Sequence, residues 1–382
     1  MTVKRLRDDR RSAAALPSSP LSGPLSGSLS GSSGAAGPAR DWVEVLAPYR
    51  EQQHGRALVE LALTALPFAG LWLAMLWSLG VGYWLTVLLA VPTAGFLVRL
   101  FMIQHDCGHG SFFKRRWAND WLGRIIGVLT LTPYGHWKRS HAVHHASSGN
   151  LDRRGTGDIE TLTVREFQRL PRWRRVLYRL SRQPLVILGL APTWLFVVQQ
   201  RLPSAPFRAS RADWLSVLGT NLGIAAVLGG LVGLCGWQVV LAVHAPVVIL
   251  GGTIGVWLFF VQHQFEETAW DEGDDWNAHD AALYGSSHYD LPAPLRWLTA
   301  NIGIHHVHHL ASRIPSYRLN EVLRAHPPLR AIGRLTLWQS LGCLELALWD
   351  EDRRRLVRFR DVPAPLAAPV PEAQSAAFSA TT

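Results

Sequence analysis

Two long stretches without Asp, Glu, Lys or Arg divide the chain, residues 61–98 and 214–262. Each is about twice the roughly 20 residues that one helix needs to cross a bilayer, so each predicts two spans joined by a tight turn. The first pair runs from about Leu58 to Trp77, turns at Gly80-Val-Gly82-Tyr83 and returns through Trp84 to about Met102. The second runs from Trp214 to Leu234, turns at Cys235-Gly236-Trp237 and returns to about Val261. Trp and Tyr near these ends suit the aromatic belt of a membrane interface. Between and around the pairs the patterns are shorter. Asp41–Arg56 reads as an amphipathic helix lying at the interface ahead of the first span. Trp121–Pro133 is apolar apart from Arg124, too short to cross alone, and predicts a re-entrant or interfacial helix. Residues 151–182 are polar and basic and predict a water-facing surface region.

Composition bounds the ends. Residues 1–40 are rich in Ser, Gly, Pro and Ala, hold too little apolar surface to fold, and lack the apolar run of a secretory signal. The expected organisation is a disordered segment 1–40, a membrane domain 41–350, and a mostly disordered tail 351–382. All 38 Lys and Arg lie outside the uncharged stretches and neither tight turn is charged. By the positive-inside rule both termini and the basic segments face the cytoplasm. A net charge of +10 can mark a nucleic-acid binder, but the basic residues here flank the spans, as at Lys114-Arg115-Arg116 and Arg169–Arg182. Anionic headgroups are their expected partners, and no nucleic acid is expected. Arg outnumbers Lys 35 to 3, a bias that fits a GC-rich bacterial genome and hence a bacterial inner membrane. Three cysteines, Cys107, Cys235 and Cys343, form no CxxC pair.

Three histidine clusters carry the chemistry: His105-Asp-Cys-Gly-His109, His141-Ala-Val-His144-His145 and His305-His306-Val-His308-His309. Residues three or four apart share a helix face, so His105 and His109 are expected to point one way, as are His141, His144 and His145. The third cluster repeats the second's spacing, with His308 and His309 as partners of His305. Eight imidazoles exceed the four to six or so ligands of one ion, so two metals are the natural reading. A packing or surface role without metal is the bland alternative, and three boxes bordering apolar spans make it the weaker one. The boxes can share a centre only on one side of the membrane. A complete crossing by Pro184–Gln200, a 17-residue apolar stretch broken by Pro192, would separate the second from the third, so an in-plane segment is expected there. The fold class that follows is an all-α membrane protein. It has four transmembrane helices as two hairpins, and a cytosolic helical cap holding a histidine-rich dimetal site.

Histidine suits iron, copper and zinc alike. A polyhistidine dimetal centre beside hydrocarbon makes most sense for O2 activation, because alkane C–H bonds resist acid–base attack. Zinc has no redox chemistry, so iron is favoured, with O2 as co-substrate. The boxes, together with Trp137-Lys-Arg-Ser-His141, Val261-Gln-His263-Gln-Phe-Glu266 and Asn301-Ile-Gly-Ile-His305, resemble the membrane fatty acid desaturase family. The likeness covers roughly residues 45–345 and is greatest to the bacterial and plant omega-6 (delta-12) acyl-lipid branch. It implies a non-haem di-iron centre with ligands His105, His109, His141, His144, His145, His305, His308 and His309.

His263, directly after the fourth span, is the expected ninth ligand. His306 falls off the spacing and is expected to orient others or lie at the surface. His136 and His288 are candidate orienting residues. Asp106, Asp158, Glu266 and Glu267 are candidate acceptors for ligand imidazoles. A buried hydrogen bond is the expected role of His244, and Cys107 is expected to pack beside the site. No His-Pro-Gly-Gly haem signature or cysteine cluster is present, so the electrons should come from a separate carrier such as ferredoxin with its reductase. A hydroxylase or ketolase acting on a lipid or carotenoid remains an alternative, as does a non-catalytic membrane metal-binding protein.

Overall fold

Four long apolar helices form the frame, and they run further than the uncharged stretches that announce them. The computed structural model describes residues 38–155, 157–203 and 209–362. A short helix α1 (Pro38–Val45) precedes α2 (His54–Ser78), which turns over residues 79–82 into α3 (Tyr83–His109). Gly110 stops α3 by taking the left-handed conformation, φ 66°, and donating its N–H to the carbonyls of Asp106 and Cys107. Next come α4 (Arg116–Leu129), α5 (Tyr134–Ser147), strand β1 (Leu162–Thr163), α6 (Val164–Arg169), α7 (Arg172–Ser181) and α8 (Ala191–Val197). A capping box between Ser210 and Asp213 starts α9 (Arg211–Cys235), and Gly236 turns the chain into α10 (Trp237–His263). The remainder is α11 (Ala278–Tyr284), β2 (His288–Asp290), α12 (Ala293–Leu298), α13 (His305–Leu310), α14 (Ser316–Ala325), β3 (Arg334–Thr336), α15 (Leu337–Gly342), β4 (Leu346–Asp350) and β5 (Arg355–Arg358).

Helices α2, α3, α9 and α10 are long and apolar enough to cross a membrane. Leu66, Trp77, Leu215, Leu222 and Leu234 on their outer faces are largely exposed, a belt suited to lipid. At 27 residues, α3 and α10 are each about 40 Å long against a hydrocarbon core of about 30 Å. Their ends therefore stand clear of it. The two pack directly together, with Gly251 of α10 against Leu97 of α3.

Two details of the helices and sheets depart from expectation. Asp41–Arg56 is not one interfacial helix. Proline at 48 cannot continue a helix, so α1 stops at Val45, a 3-10 turn spans Ala47–Arg50, and α2 begins at His54. Ala39 and Leu46 are fully buried in a cluster with Leu283, Ile304 and Val307, which packs this segment against α11 and α13. The fold is also not purely helical. Two small sheets appear, β1-β4-β5 and β2-β3, both with partners far apart in sequence, such as Leu162 opposite Leu348. The 184–200 stretch forms a π-helical turn (Val186–Leu190), α8 and a 3-10 turn, bent by 60° from α7. Its Pro192 and Phe196 pack on Gly252 of α10. The expected disordered ends lie outside the described residues, except that 38–40 begin α1 and 351–362 form a turn, β5 and a 3-10 turn (Phe359–Asp361).

Candidate metal centre

The first box rides on the overshooting end of α3. His105 and His109 stand about one turn apart and leave the same face. α5 presents His141, His144 and His145, α13 presents His305, His308 and His309, and His263 is the last residue of α10. These nine imidazoles gather into two groups. One holds His105, His109, His141, His145 and His308; the other holds His144, His263, His305 and His309. Within each group, one ring nitrogen per residue lies within 4.8 Å of all the others.

The division cuts through both HxxHH boxes and corrects the expectation of one shared face. An α-helix turns about 100° per residue, so adjacent histidines diverge by that angle while an i, i+4 pair stays aligned. On α5 the pair His141 and His145 enters the first group and His144 the second. On α13 the pair His305 and His309 enters the second group and His308 the first. His144-His145 and His308-His309 thus each straddle both groups.

The nitrogens are close. In the first group Nε2 of His141 is 3.0 Å from that of His109 and 3.1 Å from that of His145, which is 3.1 Å from that of His308. In the second, Nε2 of His263 is 3.2 Å from that of His144 and 3.0 Å from that of His305. Ligands sharing one ion through bonds of about 2.1 Å stand roughly 3.0–3.4 Å apart at octahedral to tetrahedral angles. Tautomers decide whether hydrogen bonds alone could explain such contacts. His144 Nδ1 donates to Asp158 Oδ1 at 2.5 Å, and His263 Nδ1 donates to the Gly285 carbonyl at 3.3 Å. Each Nε2 is then a bare lone pair, and the two face one another. Burial, reinforced by neighbouring imidazoles, holds His141, His145, His305, His308 and His309 well below the ordinary imidazole value of 6.5. Neutral rings with converging lone pairs are a donor set for a transition-metal ion, so both groups are able to bind metal.

Among the expected supporting residues only Asp158 meets a ligand imidazole within hydrogen-bond distance. Asp106 instead accepts the Ser316 N–H at 2.8 Å, tying α3 to the start of α14. Its nearer approach to His105 Nδ1 is 3.6 Å, beyond a hydrogen bond. Glu266 pairs with Arg355 at 2.9 Å on the surface, and Glu267 is exposed. His136 bonds Asp213 at 3.1 Å, away from both groups. His306 is fully buried rather than at the surface, and its Nε2 donates to the Leu329 carbonyl at 2.8 Å. His288 binds the next carbonyl, that of Arg330, at 2.8 Å. His244 Nε2 is buried without a partner, so the hydrogen bond expected for it is not formed. Cys107 packs among Leu100, Ile103 and Phe112.

A cavity of about 530 Å³ adjoins the groups. It follows α3 from Leu97 to His105 and α10 from Val248 to Gln262, with Phe101, Phe196 and Phe259 among its apolar walls. Trp137 closes its histidine end. The indole stacks on His141 at 4.7 Å and 13°, and it covers Gly108 so closely that a Cβ there would stand 2.9 Å from the ring.

The fatty acid desaturase family profile matches residues 82–340, which include all nine histidines. The chain belongs to the fatty acid desaturase family. It is 43% identical over 332 residues to a fatty acid desaturase of Bacillus subtilis (strain 168), covering 86% of this chain and 94% of that one. It is 30% identical to an sn-1 oleoyl-lipid 12-desaturase of Anabaena variabilis, over 73% and 79% of the two chains. It is 29% identical to an sn-1 acyl-lipid omega-3 desaturase (ferredoxin) of Nostoc sp. (strain 36), over 63% and 68%. This desaturase is therefore an integral membrane oxidoreductase of lipid metabolism whose histidine clusters can bind metal. Two of its supporting groups went unrecognised in the sequence. Trp137 is four residues before His141, a spacing that already aligns the rings; the Gly285 carbonyl leaves no sequence signal.

Metal analysis of iron-loaded purified protein tests the grouping. His308→Ala should drop from about two ions per chain to about one and lose turnover, while His306→Ala keeps both ions. Metal loss in His306→Ala with retention in His308→Ala would overturn the assignment.

Proposed function

We propose that this chain is an O2-dependent acyl-lipid desaturase in which the nine histidines hold two non-haem iron ions. It introduces a cis double bond of delta-12 (omega-6) type into a lipid-linked acyl chain. The observation that carries this reading is the junction of two all-histidine groups with an apolar cavity running along α3 and α10. A methylene offers no leaving group or acidic proton, so acid–base and nucleophilic side chains have nothing to act on. Zinc would fit the nitrogens but lacks redox chemistry. Bound iron would supply O2 activation and removal of two hydrogens, drawing two electrons from outside.

The chain's own residues place the reactants. The apolar walls hold the acyl chain and exclude water, and Trp137 seats His141 at the cavity's end. Asp158 and the Gly285 carbonyl hold the second nitrogens of His144 and His263, which turns each Nε2 inward. The Anabaena relative's name supports oleoyl-lipid 12-desaturation, and the Nostoc relative's supports ferredoxin, with its reductase, as electron donor. Exposed Arg172, Arg174 and Arg179 on α7 offer an acidic carrier a positive face.

We place the metal centre and both termini on the cytoplasmic side of a bacterial inner membrane. Because the second and third boxes meet, the chain between them crosses an even number of times. α9 and α10 account for two crossings, so Arg172–Arg201 enters and leaves on one side.

Expressed in a host with simple monounsaturated lipids, the enzyme should yield diunsaturated chains with a new delta-12 bond and no added oxygen. Hydroxylated or keto products by mass spectrometry would favour a hydroxylase or ketolase, and no O2-dependent product would leave a metal-binding protein. Gly255 lies on the cavity wall with open space at its Cβ position, about 12 Å along α10 from His263. Gly255→Leu should therefore depress conversion of the longest acyl chains most; an unchanged chain-length profile would count against the cavity as their site. For orientation, single cysteines replace residues in a background lacking Cys107, Cys235 and Cys343. Those at Val81 and Trp237 should react with an impermeant reagent in intact cells while those at Arg153 and Glu272 stay protected. Labelling at Glu272 but not Arg153 would rule out the shared side.

A further inference from the structure

Arg99 sits on α3 six residues before His105 and is 3% exposed; its partner Glu60 on α2 is 7% exposed. All three guanidinium nitrogens are engaged. Nη2 meets Glu60 Oε2 at 2.5 Å, Nε donates to Thr64 Oγ1 at 3.0 Å, and Nη1 donates to the Trp297 carbonyl at the end of α12. The same guanidinium lies 4.2 Å over the Trp297 ring. The contact is intimate along its length: a Cβ on Gly95 would stand 2.6 Å from the Leu298 side chain. Past Trp297 the chain takes two left-handed residues, Ala300 (φ 50°) and Asn301 (φ 59°), and then reaches His305. A buried ionisable pair is costly to keep, so its retention asks for a reason.

We propose that Arg99, held by Glu60, is a positioning residue for the third box: it pins α12 to α3 and so sets where α13 presents His308 to His105 and His109. The two groups depend on this strut unequally. The first joins α3 to α13, whereas the second takes no ligand from α3. Moreover, α13 is fastened to α10 independently. Ser287 donates its N–H to the Gln262 carbonyl at 2.9 Å and its hydroxyl to that of Val261 at 3.0 Å, and its own carbonyl accepts the His305 N–H at 3.2 Å. Removing the strut thus disturbs the first group and spares the second.

The inference rests on the two-metal reading, and the parent protein tests that separately: iron-loaded parent must hold about two ions per chain. Arg99→Met alone leaves the buried Glu60 carboxylate with Arg56, 2.8 Å away, as its one cationic partner and can fail to fold, so the deciding variant is the double Glu60→Gln/Arg99→Met, which removes both buried charges. In full-length protein purified in detergent, it should insert normally and bind about one ion per chain. Adding His109→Ala to it should change nothing further, and adding His263→Ala should remove the remaining ion. A double variant that keeps the parent's full metal content overturns the proposal, because the strut is then dispensable. One that loses both ions together also overturns it, because the pair then supports the whole fold.

Discussion

Two imidazole nitrogens that both face inward as lone pairs repel one another unless a cation lies between them. A neutral ring has one donor and one acceptor, and at His144 and His263 the donor is spent on Asp158 and on the Gly285 carbonyl. What remains is lone pair against lone pair. The fold overcomes that repulsion by bringing imidazoles from four helices, remote in sequence, and bracing them from behind. Trp137 presses on His141, Ser287 ties α13 to α10, and Asp106 ties α3 to α14. Without the ions, such an arrangement would be an unfavourable way to use the interior.

The two groups share their supports without being duplicates. Because α5 and α13 each send an i, i+4 pair to one group and a single ring to the other, the two helices serve both groups in opposite proportion. The remaining imidazoles come from the long apolar helices, a pair from α3 for one group and a single ring from α10 for the other. This explains why five imidazoles meet on one side and four on the other.

Much of this was legible in the residues. Charge-free stretches announced the long helices, spacing singled out eight of the positions that the structure gathers, and the resemblance added His263. What escaped detection was set by contacts between distant segments. β1 has only two residues and pairs with a strand nearly two hundred positions away, so no periodicity could reveal it. Proximity in sequence suggested Glu266 and Glu267 as imidazole acceptors, yet the chain leaves α10 toward the surface there. The Glu60–Arg99 pair stayed hidden because each lies just beyond one end of the first uncharged stretch and reads as a flanking charge. Only the antiparallel return of α3 along α2 puts them together.

The overshoot of α3 and α10 makes the bilayer part of the reference frame. A helix whose apolar length mismatches its membrane tilts or rides up and down, and ligands at its tip move with it. Slip between these two helices would shear His105 and His109 away from His263. Gly251 seated against Leu97 resists that slip, because the glycine lets the two helix backbones lie close enough to interlock. Thickness changes of the kind that altered acyl composition produces are therefore met by the pair as one body: the centre can float with its membrane without being pulled apart.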